Sequence, residues 1–215
     1  EIHNLSKRSK KPFKNINCVA LPESLFESEL FGYKKGAFTD AKKDKKGFLK
    51  VAHEGTVFLD ELGKLPKHLQ AKLLKAIEEK EYCPLGSENP VKFDVRFIAT
   101  AQPADLKRQS IIPDLKYRLG FPDYISMPTL KKRLSIEFSL IFIRVLKNVS
   151  FSMGIEDKFS LNNETELILK NIDYEGNFRE LENILRAALR SASTSERDEI
   201  LPDDLKNILN IKKSK

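Results

Sequence analysis

Thr56-Val57-Phe58-Leu59-Asp60-Glu61 is an unbroken apolar run that ends in two adjacent carboxylates. Such a run predicts a strand buried on both faces, whose carboxyl end opens onto a site. Downstream, residues 66–80 set Leu69, Leu73, Leu74 and Ile77 on one helical face with lysines opposite, and Val95-Arg96-Phe97-Ile98-Ala99-Thr100 reads as a second buried strand. Between them, Tyr82-Cys83-Pro84-Leu85 and Val91-Lys92-Phe93 flank Gly86-Ser87-Glu88-Asn89 as a hairpin. Upstream, residues 13–19 alternate like a half-buried strand, and Leu25, Phe26, Leu30 and Phe31 recur at helical spacing between Pro22 and Gly32. Residues 33–47 lose apolar periodicity except at Gly36-Ala37-Phe38-Thr39, an expected exposed tip on a long loop. Strands alternating with helices predict an α/β fold with a parallel, helix-covered sheet.

Past about Pro128 the pattern changes: 130–149, 164–172 and 177–192 all read as helices, and no strand is expected there. Leu201-Pro202-Asp203-Asp204-Leu205 reads as a capped helix start. The expected organisation is an α/β core over 1–126 and a small all-α domain over 127–215.

With 215 residues, 40% of them hydrophobic and 32% charged, the chain has apolar material for a core, which excludes a wholly disordered polypeptide. No stretch approaches the roughly 18 apolar residues of a membrane span. The longest candidate, 138–145, is broken by Arg144. Glu1-Ile2-His3-Asn4 carries no signal-peptide features, so a cytoplasmic location is expected, and the absence of an initiator Met suggests a fragment. Two cysteines, Cys18 and Cys83, and three histidines indicate neither a disulfide framework nor a zinc site. The net charge of +7 gathers at 7–14, at 34–46 and at Lys212-Lys213-Lys215. None of these runs has interleaved aromatics of the nucleic-acid-binding kind, and each reads as a solvated surface.

Adjacent carboxylates at a strand end are used to hold Mg²⁺ and polarise water in nucleotide hydrolysis, and they are also what an ordinary strand end with two solvated acids looks like. Several further motifs follow one another along the chain: Asn17-Cys18-Val19-Ala20-Leu21-Pro22-Glu23-Ser24-Leu25, Glu27-Ser28-Glu29-Leu30-Phe31-Gly32, Lys35-Gly36-Ala37-Phe38-Thr39-Asp40-Ala41, Leu69-Gln70-Ala71-Lys72-Leu73-Leu74 and Gly176-Asn177-Phe178-Arg179-Glu180-Leu181-Glu182-Asn183. Together with 55–62 they resemble, over almost the whole chain, the AAA+ domain of bacterial enhancer-binding proteins, the activators of sigma-54 RNA polymerase. The resemblance implies a P-loop NTPase-type sheet followed by a helical lid, ATP and Mg²⁺ as cofactors, and a ring oligomer, commonly a hexamer. It implies that Gly36, Ala37, Phe38, Thr39, Asp40 and Ala41 form the GAFTGA-like loop that works on sigma-54, with Phe38 and Thr39 as contact residues. Asp60 would coordinate Mg²⁺, Glu61 would orient or deprotonate the attacking water, and Asn17 would hold that glutamate until the loop engages. Arg118 matches an arginine finger reaching a neighbour's ATP site, and Arg179 matches the lid's sensor arginine. By their own pattern, both arginines read as surface ion pairs on helices.

Several positions depart from the family. No G-x-x-x-x-G-K-[ST] occurs among the nine glycines, which leaves these residues without the nest that cradles phosphates. Glu1-Ile2-His3 resembles the end of the helix that follows such a loop, so truncation is the expected reason. The other arginine finger falls on Ile112, the sensor Thr-Asn falls on Ala101-Gln102, and the second loop glycine is Asp40. Gln102 retains an amide that could contact nucleotide; Ala101 has no donor. The alternative is a degenerate AAA+ regulatory or DNA-binding repressor module without ATPase or sigma-54 activity. DNA contact is expected only through a domain outside this chain.

Overall fold

The structure is a computed structural model that describes residues 1–155 and 158–213; the tail residue Lys215 lies outside the described residues. The chain forms two compact units, Glu1–Tyr124 and Ile125–Lys215.

In the first unit the elements run β1 (Phe13–Asn17), α1 (Glu23–Phe31), β2 (Gly32–Tyr33), β3 (Lys45–Lys46), α2 (Phe48–Val51), β4 (Thr56–Asp60), α3 (Lys67–Glu79), β5 (Glu81–Tyr82), β6 (Val91–Lys92), β7 (Arg96–Ala99), α4 (Pro103–Lys107) and α5 (Pro113–Arg118). Strands β1, β4 and β7 make a parallel sheet in that order. Parallel neighbours need crossovers, and the segments carrying α1 with α2, and then α3, supply them. In β4, Thr56, Val57 and Leu59 are buried and Phe58 is half-buried, as expected of a central strand. Side chains of Ile16, Phe26, Leu30, Leu69, Leu73 and Leu115 close over it.

Two expectations for this unit need correction. Strand β7 is half-buried rather than buried, with Arg96 exposed, because among the described residues it pairs along one edge only. On α1 the buried stripe is Phe26, Leu30 and Phe31, while Leu25 is 42% exposed at its margin. The lysine-rich stretch also gains a short antiparallel pair, Gly32↔Lys46 and Tyr33↔Lys45.

The second unit holds α6 (Leu130–Met153), β8 (Ser160–Leu161), α7 (Asn163–Asn171), α8 (Asn177–Thr194), β9 (Glu199–Ile200) and α9 (Pro202–Lys213). Helix α8 buries Leu181, Ile184, Leu185, Ala188, Leu189 and Ala192, a 3–4 spacing that gives one continuous apolar stripe. Leu134, Phe138, Ile141, Phe142 and Val145 of α6 belong to the same core. Contrary to the all-helical expectation, β8 and β9 form a parallel two-residue pair, Ser160↔Glu199 and Leu161↔Ile200.

Asp204, near the start of α9, is 4% exposed. It accepts from both Arg197 Nη atoms (2.8 and 3.0 Å), from Ser191 Oγ (2.6 Å) and from the Leu201 N–H (2.8 Å). Hydrogen bonding from Arg197 leads the effects that hold its carboxyl down at about 2. A carboxylate depressed in the folded state contributes stability above its unfolded pKa, near 4, and that contribution is lost as pH falls through the folded value. Acid is therefore expected to loosen the α8–α9 end of this unit between about pH 4 and pH 2. Asp204→Asn should flatten that dependence, as read by amide hydrogen exchange of α8 and α9; an unchanged acid limb would refute the assignment.

Candidate functional site

Strand β4 delivers Asp60 and Glu61 at its carboxyl end, both half-buried. Glu61 leaves the strand in the left-handed region, φ 57° and ψ 45°, and a 3₁₀ turn, Leu62–Lys64, follows. A non-glycine residue held there carries strain of order 1–3 kcal/mol and persists only where its surroundings fix it. The fixing group is Thr100, which motif reading did not single out. The register Leu59↔Ala99 sets the next residue of each strand side by side. Thr100 Oγ1 donates to Asp60 Oδ1 at 2.6 Å and accepts the Glu61 N–H at 2.9 Å, and the Leu62 N–H donates to the Thr100 carbonyl at 2.9 Å. One hydroxyl thus holds one acid by its side chain and the other by its backbone. A Thr closing an apolar strand beside an Asp-ended one was the only signal that could have found it.

Asn17 pairs in register with Asp60 across β1 and β4. Its side-chain oxygen accepts the Val19 and Ala20 N–H groups at 2.8 and 3.1 Å, an Asx-type turn that carries the chain out of β1. Among the described residues it makes no hydrogen bond to Glu61; the turn fixes the side chain by its oxygen, and a carboxylate could be met only by the Nδ2–H₂ donor. Between them Cys18 is buried, and burial, then the charges of Asp60 and Glu61, push its thiol up to about 12. It is a protonated, inert packing group.

Gln102 is exposed at the start of α4, where its N–H donates to Asp105 Oδ2 at 3.3 Å. Asp105 is buried and also takes Lys64 Nζ at 3.0 Å, which ties α4 to the turn after Glu61. Ile112 packs on the core and donates its N–H to the buried Gln70 Oε1 at 2.8 Å. Arg118, at the end of α5, pairs with Glu78 of α3 (Nε to Oε1, 3.1 Å), the arrangement its own pattern suggests. Arg179 lies in the first turn of α8 in the other unit, exposed and without an ion pair among the described residues.

Residues 36–41 stand on the β2–β3 pair as a folded turn. The Gly36 N–H donates to the Ala41 carbonyl and the Ala41 N–H to the Phe38 carbonyl, both at 2.9 Å. Phe38 is 45% exposed with its ring edge-on to Tyr33 at 4.8 Å, while Ala41 is buried. Of the expected exposed tip at 36–39, Gly36, Phe38 and Thr39 are exposed and Ala37 is half-buried; exposure continues through Asp40 and ends at Ala41, which closes the turn from inside. Below it, Lys34 N–H donates to the Leu85 carbonyl and Leu85 N–H to the Gly32 carbonyl, so the 81–92 hairpin is bridged to the neck of the turn. Gly86 has room for no side chain: a Cβ there would lie 2.8 Å from the Ala37 Cβ.

The arrangement yields a directed prediction. Thr100→Val keeps shape and removes the shared hydroxyl, so nucleotide turnover by a chain that hydrolyses ATP should fall about ten- to hundredfold, with melting little changed. Thr100→Ser should restore most of it; equal activity of all three would exclude a positioning role.

Comparisons with known proteins bear on the same geometry. The family described as Sigma-54 interaction domain matches residues 1–122. A protein encoded in the HyuA 5′ region of Pseudomonas sp. (strain NS671) is 43% identical over 202 residues, covering 91% of this chain and 66% of its own length. The response regulator protein PilR of Pseudomonas aeruginosa is 38% identical over 208 residues, covering 95% and 45% respectively. The chain thus spans about half to two thirds of these relatives. Among solved structures, NtrX from Brucella abortus in complex with ATP superposes with a TM-score of 0.79 at 27% identity, covering 95% of this chain and 44% of that one. A parallel sheet with its acids at the end of the central strand, followed by a helical unit, is thus the AAA+ fold, and the chain belongs to the sigma-54 interaction domain family.

Proposed function

We propose that this chain is the ATPase portion of a sigma-54-dependent transcriptional regulator, in which hydrolysis within a ring oligomer works on sigma-54 RNA polymerase through residues 36–41. The observation that carries the reading is the pair Asp60 and Glu61 at the end of β4, both fixed by Thr100.

The donor set fits a cation held mostly by nucleotide and water. Among the described residues no group of three or more His, Cys, Asp or Glu could hold a metal, whereas Asp60 uses Oδ1 for Thr100 and has a second oxygen for Mg²⁺ or a water on it. Magnesium bound with ATP would supply charge neutralisation at the transferred phosphate. Within this frame Glu61 orients the attacking water and takes its proton. Thr100 keeps the two carboxylates apart in role, one toward the cation and one toward the water. Asn17 would hold Glu61 through its Nδ2–H₂, the donor left over while its oxygen closes the turn. Gln102 and Arg179 are the side chains offered to nucleotide, and Arg118 reaches a neighbouring subunit only after leaving Glu78. No helix among the described residues is long and apolar enough to cross a membrane, in keeping with a cytoplasmic regulator.

A second reading, a regulatory module of the same fold without hydrolysis, is favoured by Ile112, whose core packing leaves no cation where a finger is expected. ATP turnover per subunit, measured against concentration in a chain that carries a phosphate-binding loop, separates the two. Specific activity rising with assembly supports the ring ATPase; none at any concentration supports the regulatory module.

A further inference from the structure

The segment 34–46 holds six lysines and two aspartates, and the structure shows which of these charges are already matched. Lys34 Nζ pairs with Asp44 Oδ2 at 2.6 Å, and the other oxygen of Asp44 takes the Lys35 N–H at 2.8 Å. Lys45 pairs with Glu29. The side-chain hydrogen bond from Lys34 leads the effects that lower the Asp44 pKa, so this acid stays ionised and committed inside the neck. What remains is Lys35, Lys42, Lys43 and Lys46, all exposed and without a carboxylate partner among the described residues, against one exposed acid outside these pairs, Asp40. The pairings place the first three together. Tyr33 faces Lys45, Lys34 meets Asp44, and Gly36 bonds Ala41, so Lys35 lies across the neck from Lys42 and Lys43. Lys46 stands opposite Gly32 at the far end of the ladder, so Lys35, Lys42 and Lys43 are the cations nearest the Phe38 tip, a collar of three charges against the single exposed carboxylate left outside the pairs, Asp40. The neck is held by its ladder, by Ala41 inside and by the hairpin bridge at Leu85, which presents the collar on a fixed platform.

We propose that this collar binds the phosphate backbone of DNA, so that the chain touches nucleic acid through its own contact turn. Lysine is a flexible point charge suited to successive phosphates, and each phosphate neutralised releases condensed counterions. At the neck itself the apolar side chain, Ala41, is buried, while the 45% exposed Phe38 ring stands at the tip, edge-on to Tyr33. Contact by charge alone suits a uniformly charged backbone better than an acidic protein surface, which brings apolar side chains with its carboxylates. The inference takes its promoter setting from the function proposed above, but the contact itself needs neither ATP nor sigma-54.

The test is fluorescence anisotropy of the 215-residue chain with a short labelled duplex of arbitrary sequence, across a salt series and without nucleotide. The triple variant Lys35→Gln, Lys42→Gln, Lys43→Gln keeps the stems and removes the charges. The slope of log K against log salt should become shallower by about 2.7, three phosphates at about 0.9 each. A control variant, Lys7→Gln with Lys10→Gln, should leave the slope unchanged, and melting curves should show both variants folded. An unchanged slope in the collar variant overturns the proposal, as does an equal change in the control. A collar variant that keeps DNA binding but loses capture of sigma-54 RNA polymerase would reassign the collar to an acidic protein surface. Loss of DNA binding in a chain whose longer form shows no ATP turnover would leave the collar standing and remove the ring ATPase.

Discussion

Glu61→Gln, in a chain carrying a phosphate-binding loop, is expected to lower ATP turnover by about 10²–10⁴-fold, the usual worth of a positioned general base. The substitution is nearly isosteric. Its backbone N–H would still reach Thr100 Oγ1, and the left-handed exit from β4 would still be held, so the neighbouring Asp60 keeps its place. What changes is that an amide cannot accept the proton that water loses on attack. Nucleotide binding should therefore persist while phosphate release stops, and the two are separable by equilibrium binding of a fluorescent nucleotide and by a phosphate-release assay. Turnover within a few-fold of the parent would remove Glu61 from the chemistry. Loss of nucleotide binding as well would place it in ground-state contact instead.

Gly55→Ala is expected to destabilise the first unit by about 3 kcal/mol, well outside the range of ordinary surface changes. Gly55 sits where the backbone enters β4. A Cβ on it would lie 2.0 Å from the Pro12 carbonyl oxygen and 3.0 Å from that of Ala52, neither of which is the far end of a flexible side chain. The same Pro12 oxygen accepts the Thr56 N–H at 2.9 Å, and the Gly55 carbonyl accepts the Arg96 N–H at 3.0 Å and Arg8 Nη1 at 3.2 Å. Relieving the clash thus means moving the start of β4 away from both β1 and β7 together. Thermal unfolding followed by circular dichroism should show a fall of about 10 °C. A shift within one or two degrees would mean that the entry to β4 is softer than this packing implies.

How far the sequence foretold these features depends on whether one residue's surroundings repeat along the chain. The run into Asp60 and Glu61 was legible because a strand covered on both faces must be apolar at every position. The long helices α3, α6 and α8 were legible because their buried faces recur at 3–4 spacing over several turns. The pairs β2–β3 and β8–β9 were not, since two residues are too few to show alternation and the first pair is largely lysine. Burial of β7 was overstated because an apolar run tells that a strand packs, without telling how many neighbours it has. Thr100 escaped notice because its importance comes from register with β4, 40 residues away, and its own neighbours carry no trace of it. Asn17 stands beside Asp60 as a polar end of β1 should, but the two amides that follow the strand claim its oxygen. Such a local turn leaves no mark in spacing or residue type.

The bridge from Leu85 to Gly32 and Lys34, with Gly86 seated against Ala37, has a consequence for anyone sorting variants by phenotype. Substitutions at 85 and 86 fall nearly fifty residues from the Phe38 tip, yet they would group with those at 37–41 in a screen for altered partner engagement. Pairs drawn from the two stretches should compensate or aggravate one another more often than their distance in the gene suggests.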